Sequence, residues 1–252
     1  MKHHNVGKGR HMQFAIVNES KDAQISSGVV EQIAAAVERQ LYEHYAPFWE
    51  SSGAPVRVYP DLKSVPTQAA LVALLDSADQ AGVLGYHDVT PDGRSYARVF
   101  WKPIRGSGGT LTSGSNSLSV TVSHEVLETI GDPYASFWGQ DPSTGLLHAL
   151  ELCDACEAES YVVDGISVSN FVGPRFFRSG AGPYDWMSQM EGQAHITRPF
   201  ETLPGGYQIV ATSMSDVRNV FGKEYPEWRR PGKEHAAART AKRLAKSKEV
   251  VT

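Results

Sequence analysis

The chain has 252 residues, of which 41% are hydrophobic and 21% are charged, so it can bury the core of one large domain or of two small ones. Its formal net charge is −4, but from Lys223 onward nine lysines and arginines face four acidic residues, and the acidic body that remains argues against nucleic acid as the main partner. Because the sequence shows neither an apolar run of about 18 residues nor a signal-peptide pattern, we expect no membrane partner and a cytoplasmic protein.

We divide the sequence into three parts. Residues 1–13 are expected to be disordered or to derive in part from an expression tag, because core-like patterning begins only at Phe14. Residues 14–222 are expected to form one folded domain. Residues 223–252 form a basic tail, which is either a solvated, frayed helix or a contact surface for phosphates or an acidic protein.

The first part of the domain predicts strands and helices in turn. Phe14–Val17 is an apolar run typical of a buried strand. The next segment predicts a helix that Ser26 or Ser27 caps and whose apolar residues recur at helical spacing as far as Tyr45. Residues 55–60 alternate like a strand, and residues 67–80 predict a helix.

The middle of the domain predicts a hairpin followed by a loop and a helix. Val83–Val89 and Tyr96–Trp101 flank a turn whose proline and glycine suit type I geometry, which indicates two antiparallel strands. The Gly/Ser-rich loop 106–117 is either a lid over a substrate or a spacer. A helix is predicted from Ser119 to Ile130, with Gly131 as its left-handed C-terminal residue.

The last part of the domain predicts short β-structure. A hairpin should turn at Asp164 and Gly165, and a final strand should follow the turn formed by residues 203–206. The sequence therefore predicts an α+β fold with a mixed sheet, a metal-site helix and a basic C-terminal tail.

The central helix carries the residues most suited to chemistry, in the motif HExxE. Residues four apart in a helix lie about 6 Å apart along its axis and about 40° apart around it, so His124 and Glu128 can bind one cation. Imidazole nitrogens and carboxylate oxygens are zinc ligands, and a catalytic zinc site has three protein ligands and a water. Glu125 is then placed to act as the general base.

Two other interpretations of this motif stay open: a metal-free hydrogen-bonded cluster and a solvated helix face. The apolar residues that surround the motif predict a largely buried helix, in which uncompensated His and Glu side chains would be costly. This favours a metal.

The order of elements resembles the zincin metallopeptidase fold. In the metzincin branch the motif is HExxHxxGxxH/D, and His124, Glu125 and Gly131 fall on its first His, its Glu and its Gly. Glu128 replaces the second His, and Tyr134 stands at the third ligand position. The resemblance implies a zincin-like fold and a metal, while peptidase activity does not carry over directly.

A closer resemblance is to the Exordium, or phosphate-induced, family and to bacterial and bacteriophage proteins of the same pattern, and it covers residues 120–210 best. It implies a zincin-like fold and a metal, without a defined reaction. The shared elements are HExxE at 124–128, Asp132-Pro133, Trp138, the segment 151–154 and the NFV strand 170–172. The plant members are secreted, whereas this sequence shows no such signal.

The third metal ligand is not fixed by the motif. Glu151 and Asp154 are equally good candidates because the loop that carries them can fold back onto the helix. Asp132 ranks behind them because a turn at Gly131 would direct it away. A site rich in carboxylates would bind zinc less tightly than three histidines, so Ca²⁺ or Mn²⁺ are less favoured alternatives.

The two cysteines and the other histidines are weaker candidates. Cys153 and Cys156 form a CxxC pair among acidic residues, which favours buried or bridged cysteines over a metal ligand or a redox pair. His87, His148 and His195 are expected to be structural or exposed.

The leading functional hypothesis is a zinc-dependent, metalloprotease-like hydrolase that acts on peptide or protein substrates with Glu125 as base. The rival is a non-catalytic virion structural protein of a bacteriophage or phage-derived particle, with a structural metal site. In that case the loop 106–117 and the basic tail would contact assembly partners.

Overall fold

The computed structural model describes residues 12–178, 180–213 and 216–230, so most of the predicted N-terminal segment 1–13 and residues 231–252 of the predicted tail lie outside it. The strands are β1 (Phe14–Asn18), β2 (Val56–Tyr59), β3 (Ala70–Leu75), β4 (Gly85–Val89), β5 (Ser95–Phe100), β6 (Trp138–Gln140), β7 (Leu147–Ala149), β8 (Ser160–Val163), β9 (Ile166–Ser169), β10 (Tyr207–Ser213) and β11 (Asp216–Phe221). The α-helices are α1 (Ser27–Arg39), α2 (Ala46–Phe48), α3 (Trp101–Gly106), α4 (Leu118–Gly131) and α5 (Trp186–Glu191). Among these residues, no helix is both long and apolar enough to cross a bilayer.

Five strands form a mixed sheet in the order β2-β1-β3-β5-β4. Four of them are parallel, and β4 runs antiparallel to β5 at the edge of the sheet. Parallel neighbours require crossover connections, and α1 lies in the connection from β1 to β2. The predicted α+β class and the mixed sheet are confirmed.

The predicted strand-helix opening is also confirmed. The Ser26 side chain caps α1 by accepting a hydrogen bond from the Val29 amide at 3.3 Å. Beyond Arg39 the helical backbone widens into a π-helix, Gln40–Tyr45, before the short α2. The predicted helical course as far as Tyr45 is therefore right, although its last turns are not α-helical.

The helix predicted for residues 67–80 is wrong, because this segment contains β3. Ala70–Leu75 pairs in parallel with β1 on one side and with β5 on the other. A strand between two parallel neighbours is covered on both faces, so its sequence is a continuous apolar run without alternation. Such a run cannot be distinguished from a buried helix by its period.

Both predicted hairpins are confirmed. β4 and β5 pair around residues 90–94, where the Gly93 amide donates to the Thr90 carbonyl at 2.9 Å. β8 and β9 pair around Asp164 and Gly165, whose φ angles of 50° and 81° are both left-handed. Two left-handed residues in succession are typical of the type I′ turn, which matches the twist of a hairpin.

A second sheet has the order β11-β10-β7-β6 and is antiparallel. The strand predicted after residues 203–206 is present as β10, but it is not the last, because β11 pairs with it. Exposed and half-buried residues alternate along β11, so it lacks the apolar face that marks a strand in the sequence.

The helix predicted from Ser119 to Ile130 is confirmed as α4, but the left-handed conformation predicted for Gly131 is wrong. Gly131 is the last residue of the helix, and Asp132 caps it at φ −137°. A Cβ atom on Gly131 would lie 2.4 Å from Cδ1 of the buried Leu152. The glycine therefore permits close packing of α4 against the segment that follows β7.

The Gly/Ser-rich loop 106–117 is attached to β9. The Ser167 amide donates to the Thr112 carbonyl at 2.8 Å, and the Gly114 amide donates to Ser167 Oγ at 2.9 Å. Asn116 also donates from Nδ2 to the Ser107 carbonyl at 3.1 Å, which closes the loop on itself.

The first residues of the predicted tail pack against the domain. Tyr225 is 7% exposed, and its ring centroid lies 4.7 Å from that of Phe221 and 5.5 Å from that of Tyr207. Arg229 forms an ion pair with Glu157. The docked segment, residues 223–230, thus belongs to the folded part of the chain.

Candidate metal centre

Helix α4 lies at the centre of the molecule, and its residues from Leu118 to Thr129 are all buried. Ser117 caps the helix by accepting from the Val120 amide at 3.2 Å. On one face, Ser123 Oγ donates to Gln40 Oε1 at 2.6 Å and accepts from the Ser169 amide at 3.0 Å. These bonds hold the orientation of the helix and direct His124, Glu125 and Glu128 toward other partners.

The two predicted helical ligands lie together. His124 Nε2 is 3.0 Å from Glu128 Oε1, as the four-residue spacing predicts. The same nitrogen lies 3.3 Å from Oδ1 of Asp154, which begins a short 3₁₀ turn after β7. Of the two third-ligand candidates that the sequence left equal, the structure thus places Asp154 against His124.

His87, which was expected to be structural or exposed, joins this cluster. Its side chain is 5% exposed, and its Nδ1 lies 3.3 Å from Glu128 Oε2 and 3.9 Å from Glu125 Oε2. Its Nε2 lies 3.7 Å from Glu151 Oε2. Glu151 therefore faces the second imidazole, whereas Asp154 faces the first.

Glycine on the edge strand makes room for Glu125. A Cβ atom on Gly85 would lie 2.6 Å from Glu125 Oε1 and 3.0 Å from the Arg98 carbonyl oxygen. Gly85 and His87 are two residues apart on β4, so both face α4. The two-residue alternation of β4 could have identified His87 as a member of the cluster, but only with the position of α4 beside the strand already known.

Asp132 lies apart from the cluster. Its Oδ2 accepts hydrogen bonds from the backbone amides of Ser136 and Phe137, both at 2.7 Å. This carboxylate stabilises the turn after α4, and the structure does not bring it to the other candidate ligands.

The two cysteines are buried free thiols. Burial raises the pKa of both well above the usual thiol value, and nearby carboxylates add to the effect. Cys153 Sγ lies within 4.8 Å of ligand atoms on His124 and Glu128, and it contacts the His124 carbonyl oxygen at 3.8 Å. The raised pKa values disfavour a reactive thiolate, and Cys153 borders the candidate metal position.

The pKa values reflect an excess of buried carboxylates. Burial alone would lower the pKa of His87, but Glu151 and Glu128 outweigh it and raise the value to about 9. Burial raises the pKa of Glu125 to about 8, against the opposing charge of His124. The two imidazoles outweigh burial at Glu128 and lower its pKa. Protons on Glu125 and on the imidazoles thus balance part of the negative charge that these buried carboxylates would carry if all were ionised.

The donor atoms suit a divalent metal. Glu125 Oε2 is buried and makes no hydrogen bond with any described residue, while Glu128 Oε1 and Asp154 Oδ1 both approach His124 Nε2, a single nitrogen that can donate to only one of them. In a tetrahedral zinc site, metal-ligand distances of about 2.0–2.2 Å place neighbouring N and O donors about 3.3–3.6 Å apart. The separations of 3.0 Å from His124 Nε2 to Glu128 Oε1 and 3.3 Å to Asp154 Oδ1 lie within a few tenths of an ångström of this range, and Cys153 Sγ is the third donor that lies within 4.8 Å of both His124 and Glu128.

The cluster forms the floor of a cleft with a cavity of about 150 Å³. β4, β10 and β11 all contribute to the lining of the cleft, the last two through residues such as Ile209 and Asn219. Tyr225 and Arg229 of the docked segment complete the lining, and Ser115 of the Gly/Ser-rich loop also reaches it.

No family model, curated protein or solved structure matches this chain significantly. The resemblances to zincins and to the Exordium family therefore stay predictions that rest on the motif and on the order of elements.

Proposed function

We propose that this protein is a zinc-dependent hydrolase of zincin-like fold that cleaves amide bonds in peptides. The metal would be bound by His124, Glu128 and Asp154. One observation carries this proposal: Glu128 and Asp154 approach the same nitrogen of His124 inside a buried cluster of carboxylates.

The position of Glu125 supports a catalytic site rather than a purely structural metal site. It follows His124 directly, is 4% exposed, and lies in the same cavity with one oxygen that makes no hydrogen bond within the described part of the chain. A bound zinc would act as a Lewis acid and lower the pKa of a water molecule. Glu125 would accept the proton of the attacking water and return it to the departing amine.

The edge strand supports a peptide substrate. Within the described ranges, β4 pairs with β5 on one side and with no strand on the other, and residues Leu84–Asp88 line the cleft. An edge strand can pair with an extended peptide through its unpaired backbone groups. A peptide bound along β4 would pass over Glu125 and the candidate metal position.

The decisive experiment combines metal content with hydrolysis. Protein purified without chelators and reconstituted with Zn²⁺ should bind at least one equivalent, and His124→Ala should bind much less. The wild type should cleave members of a peptide library, and mass spectrometry identifies the cleavage products. Glu125→Gln should retain zinc and lose cleavage by about 10²-fold or more, as expected for loss of a general base.

A matched control is Glu31→Gln, which changes an exposed glutamate of α1 and should leave both measurements unchanged. Zinc binding below about 0.1 equivalents in the wild type would refute the metal site. Zinc binding without any cleavage would favour the non-catalytic structural alternative, and full cleavage by Glu125→Gln would remove Glu125 as the base.

A further inference from the structure

The two carboxylate oxygens of Glu128 face two different imidazoles. Oε1 lies 3.0 Å from His124 Nε2, and Oε2 lies 3.3 Å from His87 Nδ1. A carboxylate that chelates one metal would direct both oxygens to the same point. Glu128 instead lies between two sets of donors.

The second set is complete enough to bind a cation. Ligand atoms of His87, Glu125 and Glu128 all lie within 4.8 Å of one another. The side chains of all three are 5% exposed, and Glu125 Oε2 makes no hydrogen bond with any residue in the described ranges. Behind the ring, His87 Nε2 faces Glu151, and a carboxylate in this position commonly orients a metal-binding histidine.

Charge favours two cations over one. Glu125, Glu128, Glu151 and Asp154 bring four buried carboxylates against two imidazoles, which bind metals in their neutral form. One divalent cation balances two of these negative charges and leaves the other two to be balanced by protons, whereas two divalent cations balance all four. Buried uncompensated charge is costly, so the second cation stabilises the cluster.

We propose that His87, Glu125 and Glu128 form a second divalent-cation site, and that Glu128 bridges it to the first. Bridged metal pairs lie about 3.5–4 Å apart, a spacing that one carboxylate can span. The inference builds on the proposed function and adds regulation to it. A cation in the second site binds the oxygen of Glu125 that would otherwise accept a proton, so excess zinc inhibits the hydrolase.

Metal stoichiometry tests the second site without any activity measurement. Calorimetric titration of metal-free wild type with Zn²⁺ should give two equivalents, with the second bound more weakly. Loaded with Mn²⁺, the wild type should give the electron paramagnetic resonance spectrum of a magnetically coupled pair. His87→Gln should bind one equivalent and give the spectrum of an isolated ion.

The matched control is His195→Gln, which changes a histidine paired with Glu159 and Glu191 outside the cluster and should still bind two equivalents. The wild-type stoichiometry and spectrum decide the question even when His87→Gln fails to fold. A single equivalent and an uncoupled Mn²⁺ spectrum in the wild type would overturn the second site while leaving the first intact.

The regulatory part has its own measurement. For the active protein, zinc in excess over one equivalent should slow peptide cleavage by about tenfold or more in the wild type and by less than about twofold in His87→Gln. Equal inhibition of both proteins would overturn the inference that a cation in the second site binds Glu125. A wild type that binds two cations and cleaves nothing would refute the proposed hydrolase but retain the second site.

Discussion

Gly85 of β4 lies so close to the side chain of Glu125 on α4 that only a glycine fits at this position of the strand. The nearest carboxylate oxygen would be 2.6 Å from a Cβ atom at position 85, and the Arg98 carbonyl would be 3.0 Å from it on the other side. The position of the candidate base thus depends on a residue of β4 that has no chemistry of its own.

We expect Gly85→Ala to displace the Glu125 carboxylate and to destabilise the fold by about 1–3 kcal/mol, because neither the strand nor the buried helix can move freely. Urea unfolding measures the stability, and peptide cleavage reports the base. Gly106→Ala is the control, since a Cβ atom there meets nothing within 4 Å. Equal stability of the two variants would contradict the close approach of position 85 to the Glu125 side chain.

Gly131 offers a test that separates packing from backbone conformation. Alanine is the better helix former, yet Gly131→Ala should destabilise the protein by about 1–3 kcal/mol because its methyl group would overlap Leu152. In a Leu152→Ala background this cost should largely vanish, since the overlapping atoms are gone. The same cost in both backgrounds, measured by chemical denaturation, would indicate backbone strain instead.

His195 should make stability depend on pH at the surface beside α5. Its hydrogen bond with Glu159 contributes most to raising its pKa from 6.5 to about 9. The hydrogen bond with Glu191 adds to this increase, and partial burial opposes it. A raised histidine pKa stabilises the folded state fully below the unfolded value and loses this effect as the pH rises through the folded value. The difference in unfolding free energy between wild type and His195→Gln should therefore be larger at about pH 6 than at about pH 10. A difference that grows with pH would disprove the pairing.

Truncation tests whether the docked segment stabilises the domain. A chain that ends at Gly222 loses the packing of Tyr225 and the ion pair of Arg229, so we expect it to be about 2–3 kcal/mol less stable than a chain that ends at Arg230. Thermal unfolding of the two truncated proteins measures the difference. Identical melting temperatures would show that the docked segment contributes nothing.

Much of the fold follows from local patterns, because hairpins and amphipathic helices are encoded by neighbouring residues. The type I′ turn at Asp164 and Gly165 and the cap at Ser26 are examples. The strand Ala70–Leu75 could not be identified in this way, since its two parallel partners are distant in sequence and remove its alternation.

The candidate site was predictable only within one helix. The four-residue spacing of His124 and Glu128 places them together, and the structure has their atoms 3.0 Å apart. The role of His87 depends on the pairing of β4 at the sheet edge beside α4, which no local pattern contains. Likewise, Asp154 and Glu151 could be distinguished only by the fold, because each faces a different imidazole.

The donors of the cluster come from three separate segments: β4, α4 and the turn that contains Asp154. A cation held among them would act as a cross-link that closes two long loops of the chain and so reduces the entropy of the unfolded state. Chelation would then do more than empty a site, because it would release the edge strand and the turn from α4 at once. Resistance to proteolysis should accordingly follow metal loading.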